Sequence, residues 1–76
     1  MSMADMVIHV HQELDAPART NLERKLMECM GVDCAEFNHH EHPHALVVKY
    51  DPDEVEAMEI LSVVRNVDPA ASRIGL

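Results

Sequence analysis

The chain has 76 residues, enough for one small hydrophobic core, and we expect a single domain over residues 1–76. Fourteen acidic residues against six Lys and Arg give a formal charge of −8, which opposes nucleic-acid binding and favours cations or a basic protein surface as partners. No apolar run approaches the ~20 residues that span a bilayer, and residues 1–5 do not have the pattern of a signal peptide. We therefore expect a cytoplasmic protein without membrane insertion, in which both cysteines are free thiols.

The first half of the chain predicts a strand followed by a helix. Apolar and polar residues alternate between Met6 and Glu13, which is the period of a half-buried strand. Asp15 is a suitable N-cap, and Pro17 is tolerated in a first helical turn. Gly31 would end this helix after about four turns. The apolar stripe at helical spacing consists of Ala18, Leu22, Leu26, Cys29 and Met30.

The second half predicts two strands, a helix and a last strand. The three strands are expected at residues 34–39, 45–50 and 72–76, with Pro43 in the turn between the first two. Asp51 and Pro52 indicate the N-cap and first residue of the second helix, and Asp68-Pro69 would end it. The order βαββαβ predicts an α+β, ferredoxin-like sandwich, in which a four-stranded antiparallel sheet carries both helices on one face.

Three stretches carry a family resemblance: Ile8-His9-Val10, the Leu22 and Leu26 spacing that leads into Met30-Gly31-Val32, and Val48-Lys49-Tyr50-Asp51-Pro52. Through them the chain resembles, over nearly its whole length, the heavy-metal-associated domain family of small copper chaperones and metal-pump modules. The resemblance implies the same fold. The family binds metal at a Met-x-Cys-x-x-Cys loop before the first helix, but here Asp15 and Ala18 stand where the two thiolates would be. Capture of Cu(I) by thiolates is therefore not expected at that loop.

Histidines are the remaining candidates for metal ligands. Four of the six lie within six residues, at His39, His40, His42 and His44. The predicted topology brings the hairpin that holds them to the same end of the sheet as His9 and His11. Pairing of Phe37 with Leu46 would place His39 opposite His44, with Glu41-His42 as a tight turn. The same alternation would direct His39 and His44 toward the helices, and His9 and His11 to the outer face of the sheet.

The sequence therefore predicts a metal site built from His39, His40, His42 and His44, completed by His9, His11 or Glu13. Imidazole and carboxylate ligands suit zinc, nickel, cobalt or copper(II). The expected function is a small metal-binding and metal-delivery protein. A solvated turn whose histidines only face water is the alternative for the same residues.

Two other functions stay open at this point. One is a metal-free interaction module, including a homodimer, on a sheet face with Val7 and Val47. The other is a regulator that responds to pH through histidine charge. The chain has no Ser-His-Asp arrangement, glycine-rich phosphate loop or His-Glu-x-x-His motif, so we do not expect an enzyme. Cys29 and the three methionines Met27, Met30 and Met58 are expected in the core.

Overall fold

The strands and helices follow one another in the predicted order, βαββαβ. The computed structural model describes residues 3–11, 14–37 and 44–74. Its elements are β1 (Ala4–His9), α1 (Ala16–Met27), β2 (Val32–Phe37), β3 (Ala45–Tyr50), α2 (Ala57–Val67) and β4 (Ser72–Ile74). The strands form one antiparallel sheet in the order β2-β3-β1-β4. The α+β, ferredoxin-like class is confirmed, and no helix in the described ranges is long and apolar enough to cross a membrane.

Strand β1 begins two residues earlier and ends sooner than predicted. Its alternation is clear, since Met6 and Ile8 are buried in the core while His9 is exposed on the other face. After His9, the Val10 N–H still donates to the His44 carbonyl across the sheet, over 2.9 Å. The next N–H, that of His11, donates to the Asp68 carboxylate instead of to a neighbouring strand. The strand therefore stops before His11.

Helix α1 starts as predicted and ends earlier. The Asp15 Oδ1 accepts a hydrogen bond of 3.0 Å from the Ala18 N–H, which makes Asp15 the N-cap. Leu22 and Leu26 are fully buried. The Cys29 N–H then donates to the Leu26 carbonyl, three residues back, and this tighter turn ends the helix. The predicted cap, Gly31, thus lies three residues beyond the observed C-cap, Glu28, which follows the last helical residue Met27.

Helix α2 begins five residues later than Pro52, which the sequence predicted as its first residue. Asp51 starts a turn instead, because its Oδ1 accepts the Asp53 N–H over 2.9 Å and its carbonyl accepts the Glu54 and Val55 N–H groups. An Asp followed by Pro suits this turn as well as it suits a helix start. The helix proper begins at Ala57.

The core is aliphatic and lies between the sheet and the helices. Ile8, Leu22, Leu26, Leu46 and Ile60 are among its fully buried side chains. Cys29 is half-buried and packs against this core, as predicted in part. The prediction that three methionines fill the core was wrong: Met27, Met30 and Met58 are 50%, 81% and 63% exposed.

Those methionines are exposed for local reasons. Met27 follows the buried Leu26 on α1, so it is turned about 100° away from the buried stripe. Met58 precedes the buried Ile60 and Leu61 on α2, and Met30 lies in the turn after α1.

Gly31→Ala is expected to destabilise the fold by about 1–3 kcal/mol. Gly31 has φ +87°, a conformation that is unfavourable for alanine. An added Cβ would also lie 2.8 Å from the Val55 Cγ1. Urea unfolding followed by circular dichroism measures the loss, and the exposed neighbour variant Met30→Ala is the control, expected within about 0.5 kcal/mol of the unchanged protein. Equal midpoints for the two variants would contradict this account of the turn.

Candidate functional site

The register between β1 and β3 brings two histidine-bearing segments together. His9, the last residue of β1, lies opposite Ala45, the first residue of β3. One residue further, the Val10 N–H donates to the carbonyl of His44. The end of β1 and the start of β3 are therefore adjacent, as the predicted topology required. We call this part of the molecule the histidine end.

His9 and His44 place their rings side by side. The ring centroids are 6.5 Å apart and the ring planes are inclined by 61°, so the rings meet edge to face. His9 is exposed and His44 is half-buried. The Nδ1 of His44 is buried and has no hydrogen-bond partner among the described residues. A buried imidazole nitrogen normally has a hydrogen-bond partner or a ligand, so Nδ1 of His44 is a candidate to bind a metal ion.

Sequence reasoning missed this contact. It placed His44 on the helix side of the sheet and His9 on the opposite side, by extending the alternation of β3 back to residue 44. In the structure His44 lies in a turn just before β3, so strand alternation does not determine the direction of its side chain.

His11 is held next to this pair by a long-range hydrogen bond. Its backbone N–H donates to the Oδ2 of Asp68 over 2.6 Å, across 57 residues of sequence. Asp68 is buried at the C-terminal end of α2, and its Oδ1 accepts the Ala70 N–H over 3.1 Å. The segment after β1 is thus attached to the turn between α2 and β4. The side chain of His11 is exposed.

Helix α1 supports the same end of the sheet. The Oε2 of Glu23 accepts a hydrogen bond of 2.8 Å from the N–H of Phe37, the last residue of β2. The Nη1 of Arg19 donates to the Leu14 carbonyl over 3.4 Å in the connection between β1 and α1. The ends of β2 and of this connection are therefore both attached to α1.

Several predicted ligands lie outside the described residues. These are His39, His40, His42 and Glu13. The opposition of His39 and His44 and the tight turn at Glu41-His42 stay predictions for the same reason. The register that led to them, Phe37 opposite Leu46, is confirmed. Within residues 3–11, 14–37 and 44–74, no group of three or more His, Cys, Asp or Glu side chains is arranged to hold a metal ion.

The two thiols are not at the histidine end. Cys34 pairs with Lys49 on β3, four residues from Ala45, which corresponds to about 13 Å along a strand. Cys29 follows α1, and its thiol donates to the Lys25 carbonyl. Both are half-buried free thiols. Asp15, at one of the two positions where the family would carry thiolates, caps α1 with its side chain.

The whole fold is similar to several solved structures at low sequence identity. Oxidised MerP from Ralstonia metallidurans CH34 superposes with a TM-score of 0.75 at 8% identity, covering 96% of each chain. The CopZ metallochaperone gives 0.73 at 15% identity, covering 93% of this chain and all of that one. A copper form of CopA from Bacillus subtilis gives 0.71 at 19% identity, with coverage of 96% and 91%. No family model and no curated protein sequence matches the chain. These likenesses establish the fold.

Asp68→Ala is expected to lower the free energy of unfolding by about 1–3 kcal/mol, because two backbone N–H groups lose their carboxylate acceptor. Asp68→Asn keeps one acceptor oxygen and should lose less. Amide exchange of His11, measured by NMR, should speed up in the alanine variant. Asp53→Ala, a change at an exposed aspartate, serves as the control and should leave both quantities nearly unchanged. Protection of the His11 amide in Asp68→Ala at the level of the unchanged protein would contradict the attachment.

Proposed function

We propose that the protein binds a divalent transition metal ion at the histidine end and delivers it to a partner protein. The observation that carries the proposal is the convergence of His9 and His44, from segments 35 residues apart, with ring centroids at 6.5 Å. The likeness to the CopZ metallochaperone and to copper CopA supports a role in metal handling.

The pair needs further ligands, and chain connectivity supplies candidates. A shared ion requires each coordinating nitrogen at about 2.0–2.1 Å, so the two rings must turn toward a common point. The His9 side chain is exposed, so its ring has room to rotate toward such a point. Coordination through Nδ1 of His44 would give that buried nitrogen a partner. His39, His40 and His42 belong to the six-residue connection between Phe37 and His44, so they are the candidates for completing the shell.

The chemistry of these ligands favours zinc, nickel, cobalt or copper(II). Imidazole nitrogen binds borderline divalent ions well, whereas Cu(I) prefers thiolate and thioether sulfur. The thiols Cys29 and Cys34 lie away from this end, as the pairing of Cys34 with Lys49 shows for one of them. The net charge of −8 attracts cations in general.

Delivery of the ion to a partner requires that the ligands be accessible from solvent. His9 and His11 are exposed, so a docking protein can approach the ion and replace one ligand after another. In this proposal the ion is cargo and the protein carries out no chemical conversion. We place the activity in the cytoplasm, where the thiols of Cys29 and Cys34 would also stay reduced.

A metal-free interaction module, with a protein partner or a second copy, is the second candidate. The observation in its favour is an apolar row across the open sheet face, where Val7 pairs with Val47 on one side and with Ile74 on the other. Ile74 is 47% exposed and both valines are half-buried. If the protein is an interaction module, Val7→Thr/Ile74→Thr should abolish its association with a partner or with a second copy. If it is a metal-delivery protein, the same double variant should bind the metal ion unchanged.

Replacement of the paired histidines is expected to weaken metal binding. In untagged protein titrated with Zn²⁺ and Ni²⁺ by isothermal calorimetry, His9→Gln and His44→Gln should each raise Kd by about 10-fold or more, and the triple change of His39, His40 and His42 to Gln should do the same. Cys29→Ser/Cys34→Ser is the matched control and should leave Kd unchanged. Dissociation constants in the millimolar range for the unchanged protein, or a loss only in the thiol variant, would refute the histidine site.

Metal binding is also expected to weaken as the pH falls from about 8 to 5.5. A protonated imidazole cannot coordinate, and metal binding to neutral histidine releases protons. The calorimetric Kd should therefore rise steeply over this interval. A flat pH profile would show that carboxylates or backbone groups, which do not change charge there, hold the ion.

A further inference from the structure

A concave surface lies between the turn that follows α1 and one side of α2 with the residues just before that helix, away from the histidine end. It encloses a volume of about 360 Å³, within the range of small binding sites. The buried side chains Val55 and Ile60, with the half-buried Val63, form its apolar floor. Three exposed residues, Met30, Glu54 and Glu59, form its rim. We call this surface the acidic groove.

Met30 is held at this rim by an ordered turn. Its side chain is 81% exposed. The Val32 N–H donates to the Cys29 carbonyl over 3.3 Å, which closes the turn around Met30. Gly31 adopts φ +87° in the same turn, and its carbonyl accepts the Asp51 N–H over 2.7 Å. The fold itself therefore keeps the Met30 side chain exposed. A flexible apolar side chain at the edge of an apolar groove suits binding of another protein.

The charge of the groove restricts the class of partner. None of its lining residues is basic. Between Lys49 and Arg65 the chain carries five acidic residues and no Lys or Arg. Such a surface repels nucleic acids, anionic membranes and a second copy of this chain, whose net charge is −8. It attracts a cationic protein segment, which approaches faster and in a defined orientation.

We propose that the acidic groove docks a basic amphipathic helix of a partner protein. The apolar face of that helix lies on Val55, Ile60 and Val63 and against Met30, and its Lys or Arg side chains pair with Glu54 and Glu59. Ile60 and Val63 lie on one side of α2, so an incoming helix can lie alongside α2 by ridge-and-groove packing, and apolar anchors at helical spacing are the usual mode of such binding. This docking needs no metal ion and stands independently of the histidine end.

Methyl NMR of the methionines tests the proposal on the full chain, in a buffer with chelator. The probe is a synthetic amphipathic helix of leucine and lysine, and its matched control has glutamate in place of lysine. The lysine peptide should shift the Met30 methyl signal in a saturable manner and leave that of Met27, which is 50% exposed but outside the groove, unchanged. Added salt should weaken the binding. Equal shifts of both methyls, or equal binding of the glutamate peptide, would overturn the proposal.

Two pairs of variants separate a specific groove from general attraction between opposite charges. Met30→Ser should raise the peptide Kd by at least about fivefold, whereas Met27→Ser should not. Glu54→Gln/Glu59→Gln should weaken binding more than Asp5→Asn/Glu36→Gln, which removes the same charge from exposed strand positions. Equal effects within either pair would overturn the proposal. A Met30 shift that depends on protein concentration without peptide would also overturn it, by identifying a second copy as the occupant.

Discussion

The antiparallel register between β1 and β3 is the constraint on which the other features depend. It sets Met6 opposite Val48 and Ile8 opposite Leu46, and all four side chains are buried. A slip by one residue would move these side chains to the open face and bring polar ones into the core, so the hydrophobic core permits one register. That register also places His9 beside the start of β3. The approach of the backbone at His9 to that at His44 is therefore a direct consequence of core packing, whereas the turn before β3 sets the direction of the His44 ring.

The sequence predicted those elements whose bounds follow from the pattern of apolar and polar residues within the element itself. Strand β3 has its predicted bounds, and the pairing of Phe37 with Leu46 is as expected. The end of β1 could not be read from local pattern, because the acceptor of the His11 N–H is 57 residues away. The start of α2 was misplaced because an aspartate before proline is equally suited to a turn. The contact of His9 with His44 was missed because alternation stops where β3 begins.

The two proposed surfaces lie at opposite ends of the central strands, and this separation has a functional meaning. The carbonyl of Gly31, beside the acidic groove, bonds to Asp51 just after β3, whereas His44 lies just before it. A partner that occupies the groove leaves the histidine end open to solvent. Recognition of the partner and exchange of the ion can then be carried out by different residues, and each can change without loss of the other.

The hydrogen bond between Glu23 and Phe37 has a consequence for assembly. Strand β2 is at the edge of the sheet, where unpaired N–H groups can act as a template for another strand. The Phe37 N–H is already taken by a carboxylate from α1. An incoming chain would have to displace this charged side chain and leave it without its donor. At this position α1 thus opposes the addition of another strand, in a protein whose proposed function requires exposed surfaces.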